Sequence, residues 1–183
     1  MRDYRGDLEQ AVELAGDRFV LRPIRREDRR AYADFIGRID ASDLRRRFFH
    51  PNGLSPEIDF EHATFDPDRE VVFVAVRESR EGAGEIVGEA RACRYPGAPT
   101  AELAIIVRSD MQGRGLGRAL MQKVIQYCTD HGLEMIARIL PGNDAMIGLA
   151  KRCGMQVEHR PGSDLAIAHM RPAGWTKVPA CLP

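Results

Sequence analysis

The stretch that most constrains this chain runs from Thr100 to His131, TAELAIIVRSDMQGRGLGRALMQKVIQYCTDH, where an apolar run passes through a glycine-spaced turn into an amphipathic segment. Ala101 to Val107 ends in β-branched Ile105, Ile106 and Val107 and is bounded by Pro99 and Ser109-Asp110, so it reads as a buried strand. One carboxylate, Glu102, interrupts it. From Leu116 the residues Leu116, Leu120, Val124, Tyr127 and His131 recur at steps of three and four, with Ala119, Met121, Ile125 and Cys128 widening the stripe. A core-facing helix requires that spacing. Strand and helix are joined by QGRGLG, Gln112 to Gly117.

Such a turn suits a phosphate for two separate reasons. Without Cβ atoms at Gly113, Gly115 and Gly117 the backbone can approach an anion closely, and unpaired N–H groups at the helix start point toward it along the positive end of the dipole. Arg114 and Arg118 add positive charge on either side. The chain contains no G-x-x-x-x-G-K-[ST] run, which excludes a P-loop. The G-x-G-x-x-G dinucleotide pattern also fails, because the third glycine position is Arg118 and the turn lies past the middle of the chain. Spacing alone leaves open a glycine-rich helix cap that binds nothing.

Gln112-x-x-Gly115-x-Gly117 after an apolar strand resembles the acyl-CoA-binding motif of the GCN5-related N-acetyltransferases (GNAT). Asn143 to Met155, NDAMIGLAKRCGM, resembles a later helix of that family, and a strand-like run, Leu133 to Leu140, lies between the two motifs. Arg47-Phe48-Phe49, Ser55-Pro56-Glu57 and Asp68-Arg69-Glu70 are similar to segments of bacterial Pat-type protein lysine acetyltransferases, whose targets include acyl-CoA synthetases. The likeness extends from about Arg18 to Met170. It implies a mixed, mostly antiparallel α/β sheet with helices on both faces, and acetyl-CoA as the acyl donor. It also implies backbone pairing of Ile105, Ile106 and Val107 with the pantetheine arm. The turn residues Gln112, Gly113, Arg114, Gly115, Leu116, Gly117 and Arg118 would hold the pyrophosphate, and Asn143 would bond near the pantetheine. Asn143 also suits a plain helix cap. Where many relatives carry a Tyr that protonates the leaving thiolate, this chain has Ala150, so no general acid is assigned.

Transfer to an amine needs a base. A lysine ammonium with a pKa near 10.4 is neutral only rarely at pH 7, which costs roughly 4 to 5 kcal/mol before attack. Glu102 is the candidate to take that proton, with partial burial raising its pKa toward the useful range. The alternative leaves Glu102 facing solvent or paired with Arg91 on the neighbouring strand. The expected activity is direct acetyl transfer to a protein lysine. Alternatives are a small-molecule amine as acceptor, or a non-catalytic acyl-CoA sensor.

Composition narrows the partners. A length of 183 residues suits one core, divided as an extension over 1–17, a domain over 18–170 and a tail over 171–183. Lys+Arg and Asp+Glu balance at 27 each, so net charge argues for neither nucleic acid nor an anionic membrane. With no leader-like or membrane-length apolar run, the expected location is the cytoplasm. Cys93, Cys128, Cys153 and Cys181 are scattered and the histidines do not cluster, so no metal site is expected.

The remaining elements read in order. Met1 to Gly16 could make one or two helical turns. Arg18 to Pro23 is a strand, and Arg26-Glu27-Asp28 starts a helix burying Ala31, Tyr32, Phe35, Ile36 and Ile39. Ser42 can cap a second helix toward Phe49, whose Arg45-Arg46-Arg47 run reads as solvated, and Ser55-Pro56-Glu57 signals a third. Val71 to Glu78 and Glu85 to Arg94 form a hairpin leading into the Ala101 strand. Leu133 to Leu140 should pair parallel to that strand through a right-handed crossover. Met155 to His159 and Leu165 to Met170 close the chain as another hairpin.

Overall fold

Apolar alternation, tight turns and one helical crossover lay the chain out as a single twisted sheet. The computed structural model describes residues 8–48, 69–79, 82–159 and 162–173. In chain order these form β1 (Gln10–Leu14), β2 (Asp17–Pro23), α1 (Arg29–Ile36), α2 (Ala41–Phe48), β3 (Glu70–Ser79), β4 (Gly82–Arg94), β5 (Thr100–Val107), α3 (Leu116–Asp130), β6 (Glu134–Ile139), α4 (Asp144–Arg152), β7 (Gln156–His159) and β8 (Ala166–Met170). The sheet order is β1-β2-β3-β4-β5-β6-β8-β7, and β5–β6 is its parallel pair. The mixed, mostly antiparallel α/β sheet expected from the sequence is the one observed.

Helices cover both faces. Leu116, Leu120, Val124 and Cys128 of α3 pack with Val87, Leu103 and Val107 on one side. On the other, Tyr32, Phe35 and Ile36 of α1 meet Val72, Val74, Ile86 and Ile106. Each such side chain contributes about 1.5 to 3 kcal/mol when fully buried. Gly88 lets α3 sit close on β4, since a Cβ there would lie 2.9 Å from a Leu120 methyl carbon.

Local readings near the N-terminus change. Gln10–Leu14 is a strand, not helical turns, and it pairs with β2 across the two-residue turn Ala15-Gly16, with φ of 52° and 85°. Both turn residues have the positive φ that a tight hairpin demands. Helix α2 begins at Ala41, so Ser42 lies inside its first turn and does not cap it; the Asp40 carbonyl accepts from the Asp43 and Leu44 amides. The helix expected at Ser55 lies outside the described residues. No helix among those described is long and apolar enough to cross a membrane.

One break in the sheet positions everything that follows. β5 pairs with β4 along most of its length, from Ala101 to Val107, but with β6 only through Thr100, Ala101 and Glu102. Beyond Ile136, β6 follows β8 instead. Leu103 to Val107 therefore present backbone groups with no strand partner on the β6 side among the described residues, and β5 and β6 diverge into a V.

Candidate active site

The V opens into a cleft of about 760 Å³, a size usual for small-molecule sites. One wall is the free edge of β5. Its far end is the glycine turn with the start of α3, and the opposite wall carries Asn143, Met146, Leu149 and Arg152 of the α4 region. Arg46, Arg47 and Phe48 of α2 line it near Arg91 and Cys93 of β4.

The turn has its shape because glycine permits it. Gly113 and Gly115 have φ of 76° and 90°, the left-handed region that costs other residues about 1–2 kcal/mol. Gly115 is the N-cap of α3 and offers no side chain, which leaves the first helical N–H groups for a ligand. Replacing Gly115 with Ala is expected to raise the dissociation constant for CoA by about five- to thirtyfold in calorimetry. Gly132→Ala, a similarly strained position at the other end of α3 (φ +65°), should leave CoA affinity unchanged.

Of the residues expected to hold the donor, Ile105, Ile106, Val107, Gln112, Gly113, Gly115, Gly117, Arg118 and Asn143 line the cleft. Two do not. The Leu116 side chain is buried in the core, and Arg114 turns away to Asp17 at 3.4 Å. Gln112 spends both amide hydrogens on the Asp43 carboxylate (2.8 Å) and the Val107 carbonyl (3.1 Å), so its side chain clips α2 to β5. Asn143 accepts from the Met146 amide at 3.2 Å, capping α4, and lines the cleft.

Glu102 stands at the point of the V and faces the cleft. Its partner is not Arg91. Arg138 of β6 donates to both carboxylate oxygens, at 2.8 and 2.5 Å, and the Tyr95 hydroxyl donates at 2.8 Å. Burial alone would push this carboxyl up, but the hydrogen bonds from Arg138 and Tyr95, with the charges of Arg138 and Arg47, outweigh it. The net shift is downward, opposite to the sequence expectation.

Beneath the α2 side lies a buried charge cluster that sequence reasoning missed. Arg91 donates to both oxygens of Glu89 (2.8 and 2.9 Å) and to Glu70 (3.0 Å). The Tyr32 hydroxyl and Arg47 also donate to Glu89. Arg47, expected in solvent, has a side chain only 11% exposed. Cys93, exposed at the edge of the cluster, donates its thiol to Glu70 at 3.1 Å, and the packing around its sulfur with the Glu70 charge pushes it up to about 12. That shift disfavours the thiolate an acyl-accepting nucleophile requires. Among the described residues no three His, Cys, Asp or Glu side chains converge as metal ligands do.

A split parallel pair, a left-handed glycine turn at a helix start and an acid at the apex form a recognisable whole, and residues 39–155 match the acetyltransferase (GNAT) family. The chain belongs to that family. The L-methionine sulfoximine/L-methionine sulfone acetyltransferase of Pseudomonas aeruginosa is 42% identical over 59 residues, a match spanning 32% of this chain and only 34% of that protein. Acetyltransferase PA5475 of Pseudomonas aeruginosa is 27% identical over 157 residues, 84% of this chain and 83% of that protein. The GNAT domain of S. lividans PAT superposes with a TM-score of 0.78 at 23% identity, covering 92% of this chain and 99% of that domain; that likeness shows the fold. The cleft fits the GNAT donor, acetyl-CoA. The open β5 edge can pair with an amide-bearing arm, the Gly113–Gly115 backbone suits a diphosphate, and exposed Arg118 and Arg152 stand on the walls.

Proposed function

We propose that this GNAT protein transfers an acetyl group directly from acetyl-CoA to the side-chain amine of a protein lysine. The observation that carries the reading is Glu102, a carboxylate at the apex of the split where the free β5 edge begins. Acetyl-CoA supplies the activated carbonyl. The edge of Leu103 to Val107 and the Gly113–Gly115 backbone hold and orient it, with Arg118 and Arg152 offsetting its phosphate charge. Glu102 draws the acceptor's ammonium to the apex and takes its proton, directly or through water. The amine nitrogen then forms the C–N bond as the C–S bond breaks, and the departing thiolate takes up, through water, the second proton that the nitrogen sheds. The high thiol pKa of Cys93 supports direct transfer over an acyl-enzyme.

Charge on the acceptor side supports an amine with a single ammonium. Asp43 is paired with Arg46, Glu102 with Arg138, and Glu70 and Glu89 with Arg91. Each of these four carboxylates is already engaged by an arginine, which leaves little charge to hold a polycation. The Arg47-Phe48-Phe49, Ser55-Pro56-Glu57 and Asp68-Arg69-Glu70 segments, which resemble Pat-type protein lysine acetyltransferases, favour a protein over a small molecule. The short match to the methionine sulfoximine/sulfone acetyltransferase supports a second reading, a small free amine.

One assay separates them. Labelled acetyl-CoA is offered with a panel of acyl-CoA synthetases and, separately, with small amines that include methionine sulfone. Label on protein lysines is the expected result. Label on small amines alone overturns the lysine reading, and tight CoA binding with no acceptor modified leaves a sensor.

A further inference from the structure

The contact that sets the state of Glu102 comes from across the split. On β6, Met135, Ala137 and Ile139 point into the α3-side core, which puts Arg138 on the opposite face. Glu102 lies on that face too, since its strand neighbours Ala101 and Leu103 join the α3-side core. Glu102 is in register with Ile136, the last residue of β6 that pairs with β5. Arg138 follows two positions later, where β5 has already turned away, and reaches back diagonally to close the apex. Both its Nε and a terminal nitrogen are engaged, so the contact fixes the carboxylate plane as well as its charge.

We propose that Arg138 is a positioning residue that holds the Glu102 carboxylate across the β5–β6 split and is displaced from it by the ammonium of the incoming acceptor. This rests on the reading of Glu102 as the group that receives the acceptor. The guanidinium occupies the place an alkylammonium needs, with the same charge and the same acceptor atoms. Its exposure makes exchange feasible: the Arg138 side chain is 48% exposed and Glu102 23%. The guanidinium side of the pair is in contact with water, so Arg138 is rehydrated as it leaves and the exchange of one cation for another costs little. A deprotonated amine has no such claim, so Arg138 returns once Glu102 has passed the proton it took on to water and is a carboxylate again. Tyr95 keeps its own bond to Glu102 throughout and holds the acid in place during the exchange. Among the described residues, the other groups facing Glu102 are Arg47 of α2, which adds positive potential, and the thiol of Cys93, its partner in register on β4.

The test needs no acceptor protein. Butylammonium serves as a lysine side-chain probe, titrated into the CoA-loaded protein while the Glu102 carboxyl carbon is followed by 13C NMR. In Arg138→Gln the probe is expected to bind about two- to fivefold tighter than in the wild type. The titration of Glu102 should also move to higher pH, because a cation that favoured its ionised form is gone. Arg138→Lys, which restores charge without the two-point contact, should fall between the two. Glu102→Gln should abolish probe binding at the site. Equal probe affinity in wild type and Arg138→Gln, or an unmoved Glu102 titration, overturns the proposal. Failure to find an acetylated acceptor would instead count against the proposed function, since the probe experiment reads the exchange without turnover. With an acceptor in hand, Arg138→Gln should lower its KM and move the acid limb of kcat/KM upward. A merely structural arginine would do neither.

Discussion

Exchanging Glu102 for Gln is expected to lower kcat by about a hundred- to a thousandfold, with the affinity for CoA unchanged in calorimetry. The amide keeps the size of the side chain and can still accept from Arg138 or Tyr95, but it cannot take a proton or attract an ammonium. CoA affinity should persist because the β5 edge and the Gly113–Gly115 turn lie further along the cleft. The pH dependence follows from the direction of the Glu102 shift. Burial raises this carboxyl, yet the Arg138 and Tyr95 hydrogen bonds, with the charges of Arg138 and Arg47, hold it net below its ordinary value. The wild-type acid is therefore ionised across the neutral range, and its protonation limb lies at acidic pH. Between about pH 6 and 9 the rate should instead rise toward the acceptor's own pKa, near 10.4 for lysine. Glu102→Gln should show the same rise at a much lower level. Steady-state rates with labelled acetyl-CoA across that range check both points, and a variant as fast as wild type would remove Glu102 from the chemistry.

Glu102 and the turn beside it were legible because both lie in one contiguous strand–turn–helix segment, where period, β-branching and glycine spacing speak directly. What Glu102 touches was not. Its partner Arg138 is 36 residues away, and the pairing depends on a parallel register that ends at Ile136 before the strands part. No local pattern encodes where two strands separate. Arg91 looked like the natural neighbour because it lies on β4, but opposite Glu102 in the ladder stands Cys93, and Arg91 faces Ala104. β1 escaped notice for a chemical reason: its hairpin turns on Ala15-Gly16, where Asn-Gly or Asp-Gly would have announced the positive φ values. The buried cluster did leave a trace. Within Gly88-Glu89-Ala90-Arg91-Ala92 the charged residues alternate with small ones, so a single strand face carries opposite charges two residues apart. That both would be buried depends on Tyr32, 57 residues earlier in the chain, and on α2 laying Arg47 over them.

That cluster leads to the largest expected loss of stability. Glu89→Gln should destabilise the fold by about 3 to 5 kcal/mol, because it leaves buried Arg47 without its anion and Arg91 with Glu70 alone. For a chain of this length the melting temperature should fall by about 6 to 20 °C. Glu89 is fully buried, and Arg91 is 5% exposed, so water cannot replace the lost partner. The double change Glu89→Leu with Arg91→Met removes both charges and should cost less than the sum of the two single changes, since the pair is coupled. Acid gives an independent readout. Burial pushes the Glu89 carboxyl up, but the charge and hydrogen bonds of Arg91, with Arg47 and Tyr32, bring it well below its ordinary value. Its folded pKa lies below its unfolded one, so its contribution is complete above the unfolded value of about 4.3 and is lost as pH falls from there. The stability gap between wild type and Glu89→Gln should therefore be widest at neutral pH and narrow below about pH 4 in denaturant unfolding. A gap that stayed constant with pH would mean that the variant acts through packing, and that the Glu89 charge does not hold Arg91 and Arg47 beneath the cleft.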